Sequence, residues 1–439
     1  MASYYNYKIE EFIIESLDGN KSIDATSCVA SIKYYEDLFS PLVFITMQIV
    51  NTEGLISSLP VRGGERIRLI ISQEATGKRL EFNETKNPYY IHKIYGSTSQ
   101  STREMFFIDL APAELFKDQT SRVFNRYPEK QGKEQKISES VSQILKNVLK
   151  IPENRLDIES TENSYAFYGN SKKPINVISW LCPKAIPPIG KSSPEEGTAG
   201  YLFYANQDGY HFRSVDSLMS GTIPETSNKE SYTTYYYNET VNKPADQISN
   251  FKIEGIPTFD KNVDIENNLI FGMYSSVNYF YDLNTKEFKE YTYRLTDSYN
   301  IMKHASKRND SPTIPEGLQD SPSRLMVRFI DGIVKSPGDV KPDSKIDDRI
   351  RYQAHSVTRY NLAFSQSVRV TVPLNLNLQV GDVIKLDIGK ISSNNKDKDA
   401  EKSGLYLIRE LAHEFPTQGN KGYTGLRLSR DSYGPPGEV

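Results

Sequence analysis

Leu59-Pro-Val-Arg-Gly-Gly-Glu-Arg-Ile-Arg-Leu-Ile-Ile71 is the stretch that decides how this chain is read, because it occurs twice. Its counterpart is Leu378-Gln-Val-Gly-Asp-Val-Ile-Lys-Leu-Asp-Ile388. Laid over one another without a gap, Gly64 meets Gly381, Glu65 meets Asp382, Ile67 meets Ile384, Arg68 meets Lys385, Leu69 meets Leu386 and Ile71 meets Ile388, at an offset of 317 (381 − 64). The same offset carries Ile91 onto Ile408 and Ile94 onto Leu411, and after one inserted residue Ile108 and Leu110 meet Leu426 and Leu428.

Each copy reads as a strand, a Gly-acidic turn, a strand, a loop, a strand, a hairpin and a final strand. A repeat separated by 317 residues is no solenoid, whose periods run to about 20–50 residues. It predicts two small antiparallel β units of one design near the two ends of the chain.

A chain of 439 residues has room for several domains and a sizeable core. Its 29 Tyr and 19 Phe favour strands, because aromatic side chains fit a pleated, half-buried surface. With 53 basic and 56 acidic residues the net charge is −3, so no global field selects a polyanion or a membrane surface. Cys28 and Cys182 are the only cysteines, which excludes a disulfide framework and a paired-cysteine metal site; each reads as a small buried hydrophobe. The first residues lack a basic segment followed by an apolar one, and no apolar run reaches the ~20 residues that span a bilayer. The expectation is a chain made and assembled in a cytoplasm, without membrane insertion.

In order, alternation marks strands at 7–14 and 26–34, Val43 to Val50 reads as a strand covered on both faces, and further strands lie near Tyr89–Tyr95 and Met105–Leu110,. Six or seven strands in residues 1–111 predict a tube-like β-barrel. From 112 to 240 the period changes. Ile137, Val141, Ile144, Leu145, Val148 and Leu149 fall on one helical face,, a second helix starts after Pro174, and Tyr201–Ala205, Asp208-Gly209 and Tyr210–Ser214 form a hairpin,. This is an α+β insert domain. Residues 241–296 and 350–430 make the second barrel, including a hairpin of Leu269–Leu283 with Glu287–Leu295, and 297–349 is a loop-rich insert. The tail 431–439 is read as disordered or as an interaction arm. The expected fold class is mainly β with α+β inserts.

The chemistry-bearing residues form no recognisable constellation. There is no nucleophile elbow and no phosphate loop, since Gly63-Gly64 is followed by Glu65, the wrong sign for a phosphate cradle. Gly63, Gly64, Gly381 and Asp382 read as structural turns whose glycines take positive φ. His92, His211, His304, His355 and His413 show no metal-ligand spacing,. No catalytic residue, metal or cofactor is expected. Arg68 and Lys93, matched with Lys385 and Arg409, stand between apolar positions and so define a candidate outward charged face. That face suits an interaction surface, a channel lining or plain solvation.

The arrangement of barrel, insert and second barrel resembles the central baseplate hub of T-even-type contractile-tail phages, a core also found in type VI secretion spike proteins. The residues that carry the likeness are Tyr34–Val50 running into Gly63-Gly64-Glu65, Lys173-Pro-Ile-Asn-Val-Ile-Ser-Trp-Leu181, Gly209–Leu218, and the C-terminal Val-Gly-Asp with its following strands. The resemblance implies a homotrimer in the baseplate of a virion tail. Three chains with two barrels each would present six similar modules to a sixfold tail tube protein and a threefold face to a separate spike protein. The barrels would line a channel through which DNA passes without specific binding, and the inserts would meet baseplate wedge proteins. Two rivals stand beside this reading. One is a tail-associated cell-wall hydrolase using Glu153, Asp157, Glu159 and His211; the other is a carbohydrate- or receptor-binding protein using the Tyr-rich stretch Tyr232–Tyr237.

Overall fold

The computed structural model describes residues 3–52, 54, 61–100, 102–129, 134–188, 198–220, 232–237, 249–261, 264–282, 286–299, 302–305, 321–330, 345–390, 398–399, 401–419 and 421–432. The first unit holds eight strands, β1 (Lys8–Glu15), β2 (Ser22–Asp24), β3 (Val29–Asp37), β4 (Phe44–Asn51), β5 (Arg66–Gln73), β6 (Lys78–Phe82), β7 (Tyr89–Gln100) and β8 (Arg103–Pro112). Alternation drives them. Along β4, Ile45, Met47 and Ile49 are fully buried, while Phe44, Thr46, Gln48 and Val50 stay half-exposed. The two-sided burial expected for this strand is therefore replaced by a one-sided one, with side chains of period two facing core and solvent in turn.

The insert follows with α1 (Ala113–Thr120), β9 (Arg126–Tyr127), α2 (Ile137–Gln143) continued by a π-helical turn Ile144–Val148, β10 (Leu156–Ile158), β11 (Phe167–Tyr168), α3 (Pro174–Leu181), β12 (Tyr201–Asn206), β13 (Gly209–Ser214) and α4 (Val215–Met219). Pro174 opens α3, where its missing N–H costs nothing. The β12–β13 hairpin turns between Asn206 and Gly209, and β10 joins it in parallel.

The second half contributes β14 (Thr234–Tyr237), β15 (Glu254–Lys261), β16 (Ser275–Asp282), β17 (Phe288–Arg294), β18 (Arg324–Ile330), the long helix α5 (Lys345–Ala363), β19 (Gln366–Pro373), β20 (Val383–Ile388), β21 (Gly404–Pro416) and β22 (Tyr423–Arg430). The two repeats do not close separately. Their strands run through one 14-stranded sheet in the order β15-β19-β22-β21-β3-β4-β8-β7-β5-β1-β2, with β20 and β14 attached at β21 and β6 at β5.

Three expectations change here. The Tyr- and Phe-rich hairpin β16–β17 pairs antiparallel as expected, starting at Ser275 and not at Leu269, but with β18 it forms a separate three-stranded sheet outside the large one. Its buried face packs on its own cluster of Met273, Tyr274, Tyr293, Leu295, Tyr299, Met302, Ala354 and Leu362; the stretch after residue 297 thus carries a strand and core residues. The short helix expected at 352–364 is the end of the longer α5. Within the tail, Asp431 and Ser432 are buried; residues 433–439 lie outside the described ones.

Candidate assembly surfaces and the duplicated turn

The two copies share their hydrogen bonds as well as their sequence pattern. Gly64 N–H donates to the Ile91 carbonyl at 2.6 Å and Gly381 N–H to the Ile408 carbonyl at 3.1 Å; Ile91 N–H donates to Glu65 O at 2.9 Å and Ile408 N–H to Asp382 O at 2.8 Å. Every one of these pairs is related by the offset of 317. Gly63, Gly64 and Gly381 have φ of +100°, +94° and +95°, a region that side-chain-bearing residues avoid. The acid after each glycine closes its own turn. Glu65 accepts from the N–H groups of Arg62 (2.6 Å) and Gly63 (2.8 Å), and Asp382 accepts from Gln379 N–H at 3.2 Å, Gln379 being the counterpart of Arg62.

A bulge also recurs. β7 slips against β8 between Ile91 and Lys93, and β21 slips against β22 between Ile408 and Glu410. A bulge adds a residue to one strand and re-aims the side chains beyond it. The bulge falls at the same place in both copies and leaves the offset of 317 unchanged, so the counterpart of Lys93 is Glu410 and that of Arg409 is His92. The proposed matching of Lys93 with Arg409 is corrected by one residue.

The four candidate charged residues differ in their surroundings. Arg68 is half-exposed and paired to Glu11 (3.1 Å) and Glu15 (3.2 Å). Lys93 is exposed, with its ammonium 4.6 Å from the Tyr95 ring centroid. Lys385 points outward from β20. Arg409 is instead wedged between Phe39 (4.9 Å) and Phe364 (5.3 Å); burial, with Arg427 nearby, holds its pKa below the usual guanidinium value.

What the sheet does present is one long solvent-facing surface across β15, β19, β22, β21, β3, β4, β8 and β7. Several of its charges are paired strand to strand. Arg369 holds Asp260 (2.5 Å), Arg427 holds Glu410 (3.0 Å), and Lys33 holds Glu414 (2.9 Å). Thr46 donates to Asp109 at 2.8 Å. A shallow groove of about 390 Å³ runs along it, floored by Ala412 and Gly425 and walled by Tyr35, Ile256, Arg369 and Arg427.

The hydrolase candidates are spread over structural contacts. Glu153 is exposed and paired to Lys146 (2.6 Å). Glu159 accepts from Ser214 N–H and hydroxyl (both 2.8 Å) and Ser217 hydroxyl (2.7 Å), so it fastens the start of α4. Asp157 and His211 do meet, at 2.9 Å, because β10 and β13 set them opposite one another. The other ring nitrogen of His211 faces Asn206 Oδ1 at 2.8 Å, where a nucleophile would be needed; the His211 hydrogen bond holds the Asp157 carboxyl below its ordinary range. The receptor-binding candidate fares differently from expectation. Tyr235 is fully buried and its hydroxyl accepts from Asn375 at 3.0 Å, while β14 pairs in parallel with β20. Tyr232 and Thr233 precede that strand.

Of the remaining histidines, His413 is buried against Tyr34 and burial pushes its pKa down to about 3; His355 on α5 is buried beside Tyr293. His304 contacts Asp431 at 2.9 Å. Among the described residues no group of three or more His, Cys, Asp or Glu could hold a metal ion, and no helix is long and apolar enough to cross a membrane.

Two buried charged residues hold the parts of the chain together, and the sequence reading passed over both. Arg359 on α5 is fully buried and pairs with Asp216 of α4 (2.8 Å) and Asp431 after β22 (2.9 Å). Glu36, also fully buried, joins β3 to the β12–β13 turn and to the second copy's turn. The alternation of Ile32, Tyr34 and Glu36 on the inward face of β3 was a signal for the second; no local pattern marks Arg359.

No protein-family model matches the sequence, and no curated protein matches it. Solved structures do match in fold. A tail protein from Neisseria meningitidis MC58 aligns with a TM-score of 0.52 at 11% identity, over 97% of this chain and 97% of that one. A 43 kDa tail protein of prophage MuSo2 from Shewanella oneidensis aligns at 0.49 and 9% identity, over 96% and 98%. An E. coli component of the type VI secretion system aligns at 0.45 and 10% identity, over 98% and 79%. The chain has the fold of the Neisseria tail protein over nearly its whole length, in keeping with the resemblance read from the sequence.

Proposed function

We propose that this chain is a structural hub of a contractile tail baseplate, working as a trimeric adapter between a sixfold tube and a threefold spike. The observation that carries the proposal is a junction inside the chain and the two free edges that mirror it. Beyond its bulge, β21 pairs with β3, with Ala412 opposite Tyr35 and Glu414 opposite Lys33. By the repeat, β7 is the counterpart of β21, and β15 is the counterpart of β3, each lying one strand out from β4 or its equivalent β19. Among the described strands, the edge of β7 beyond Ile91 and the outer edge of β15 have no partner strand. Unpaired edges are templates for another chain.

Joining β15 of one copy to β7 of the next repeats the internal junction between chains. Tyr95 would then stand opposite Lys261 and Thr98 opposite Thr258, both in one antiparallel register. Three copies, each giving the eight strands from β15 to β7, would close a barrel of twenty-four strands. At the usual strand spacing its backbone would be about 37 Å across before tilt, wide enough for a DNA duplex. Turned inward, the surface of paired charges would offer a passing polyanion little to bind, since exposed pairs cancel at short range.

Two repeats per chain supply six modules in a trimer, which absorbs the mismatch between a sixfold ring and a threefold spike. The inserts would lie outside this tube, placed to meet wedge proteins. The reading assigns the chain no catalysis and places it in a virion tail assembled in the host cytoplasm. Light scattering on the purified chain, alone and co-expressed with a spike candidate, tests it. A trimer in either sample is expected; a monomer in both would overturn the proposal.

A further inference from the structure

The first insert carries a rigid aromatic knuckle on its surface. Phe124, just before β9, is 68% exposed, and Tyr168 of β11, which stands opposite Arg126, is 54% exposed. The loop between β11 and α3 is pressed onto residues 123–125. Gly169 N–H donates to Asn125 O at 3.1 Å, Ser171 N–H to Val123 O at 3.0 Å, and Val123 N–H to Lys172 O at 2.9 Å. A Cβ on Gly169 would run into the Val123 carbonyl, so only glycine lets the two segments lie this close. Asn170 and Ser171 then turn the loop at φ +51° and +56°, a region that residues with a side chain seldom enter. Backbone held there against its preference clusters at functional places.

The exposed charges around the knuckle are of one sign. Residues 113–128 and 165–180 hold two acids, Glu114 and Asp118, and five basic residues. Both acids are buried: Glu114 faces Arg155 at 3.7 Å, and Asp118 accepts from Ile175 N–H at 2.9 Å. Arg122 and Lys172 are exposed and Arg126 is half-exposed, and none of the three forms an ion pair among the described residues. The Arg122 guanidinium is oriented by the carbonyls of Gln119 (3.0 Å) and Ser121 (2.7 Å). In a chain of net charge −3, this is a local positive field around an apolar centre.

We propose that the knuckle is a docking site for an acidic segment of a partner protein, which covers Phe124 and Tyr168 with apolar side chains and sets its carboxylates on Arg122, Arg126 and Lys172. Aromatic and Arg side chains are the usual anchors of protein interfaces, and unpaired cations beside them select a partner of opposite sign. The loop is fixed by its backbone bonds before any partner arrives, so little ordering entropy is lost on docking. The choice of a protein over a nucleic acid rests on the hub reading, in which the insert lies outside the channel that carries DNA. The patch itself belongs to the single chain and does not depend on the ring.

The test is selection from a library of random displayed peptides on the immobilised full chain, with the recovered peptides and a single-stranded oligonucleotide then titrated by fluorescence anisotropy. The recovered peptides are expected to place Asp or Glu beside apolar residues and to bind more weakly as salt rises. Phe124→Ala should weaken them about tenfold or more, and Arg122→Glu combined with Lys172→Glu should do the same; all three positions are exposed, so the fold is kept. An empty selection, peptides without acidic enrichment, or affinities that ignore both variants would overturn the docking site. So would an oligonucleotide bound with the same dependence on Phe124, which would assign the patch to nucleic acid. A trimer in solution with an empty selection would sink this proposal and leave the hub, whereas a monomer that selects acidic peptides would do the reverse.

Discussion

Replacing Gly381 by alanine separates two contributions that the duplicated turn keeps distinct. Gly64 and Gly381 share almost the same backbone, φ +94° and +95°, so an added Cβ carries the same conformational cost at both, about 1–2 kcal/mol. Their surroundings differ. At Gly64 the nearest atom to an added Cβ is the Cδ2 of Leu17 at 3.0 Å, and Leu17 is 67% exposed and can swing away. At Gly381 the added Cβ meets the Tyr204 Oη at 2.4 Å and its Cζ at 3.0 Å. Tyr204 is 2% exposed and stacked on His211 at 4.9 Å, so it cannot yield without moving the insert. Overpacking of this kind adds about 1–3 kcal/mol.

Gly64→Ala should therefore cost about 1–2 kcal/mol and Gly381→Ala about 2–5 kcal/mol. Parallel thermal melts at one pH would show the second variant losing two to three times as many degrees as the first. Adding Tyr204→Phe to Gly381→Ala removes the atom at 2.4 Å and should recover part of the difference. Equal losses for the two single variants, with no recovery on the double one, would refute the reasoning: the turn would then be no seat for the insert.

Arg359→Leu leaves Asp216 and Asp431 facing one another's side of a dry interior, and breaking a buried pair in this way costs about 3–5 kcal/mol; a lowered melting temperature with intact secondary structure by circular dichroism checks it. Lys33→Ala, which breaks the exposed pair with Glu414, should change stability by less than about 1 kcal/mol, measured on the same instrument. Asp431 gives an acid-side signature. Burial works to raise its carboxyl, but the His304 hydrogen bond and the Arg359 charge outweigh it and hold the value at about 2. A depressed carboxyl stabilises above its unfolded value near 3.9, and that contribution, about 2–3 kcal/mol, is lost as pH falls from about 4 to 2. Finally, a zymogram on cell-wall substrate should show no clearing; clearing that disappears in Asp157→Asn would favour the hydrolase reading.

Much of the architecture was legible because it rests on local rules. Glycine before an acid, twice, announced a turn, and the alternation from Ile67 to Ile71 and from Ile384 to Ile388 announced the strands after it. The one-residue insertion before Ile108 and Leu110 is visible in the alignment itself. The bulge is not, because Ile91-His-Lys and Ile408-Arg-Glu look alike whether or not a residue is looped out; that is why Arg409 was set on the wrong face. The hairpin β16–β17 was recognisable as a hairpin, but nothing in its Tyr-rich alternation says which sheet it joins. That choice is made by contacts with β18 and α5, distant in sequence. The same holds for Arg359, whose two partners lie in α4 and beyond β22, and for the union of both repeats through β3 and β21.

In the proposed ring an edge of one chain meets a defined edge of the next, and a cysteine pair tests that contact. Thr98→Cys and Thr258→Cys place thiols on exposed positions of β7 and β15 that the proposed ring would set opposite one another between copies, while Cys28 and Cys182 are buried and stay out of the reaction. Oxidation of the purified double variant should give a covalent trimer on a non-reducing gel, with neither single variant passing the dimer. A double variant that stays monomeric, with its two cysteines free under the same oxidation, would contradict the edge-to-edge ring and the hub reading built on it.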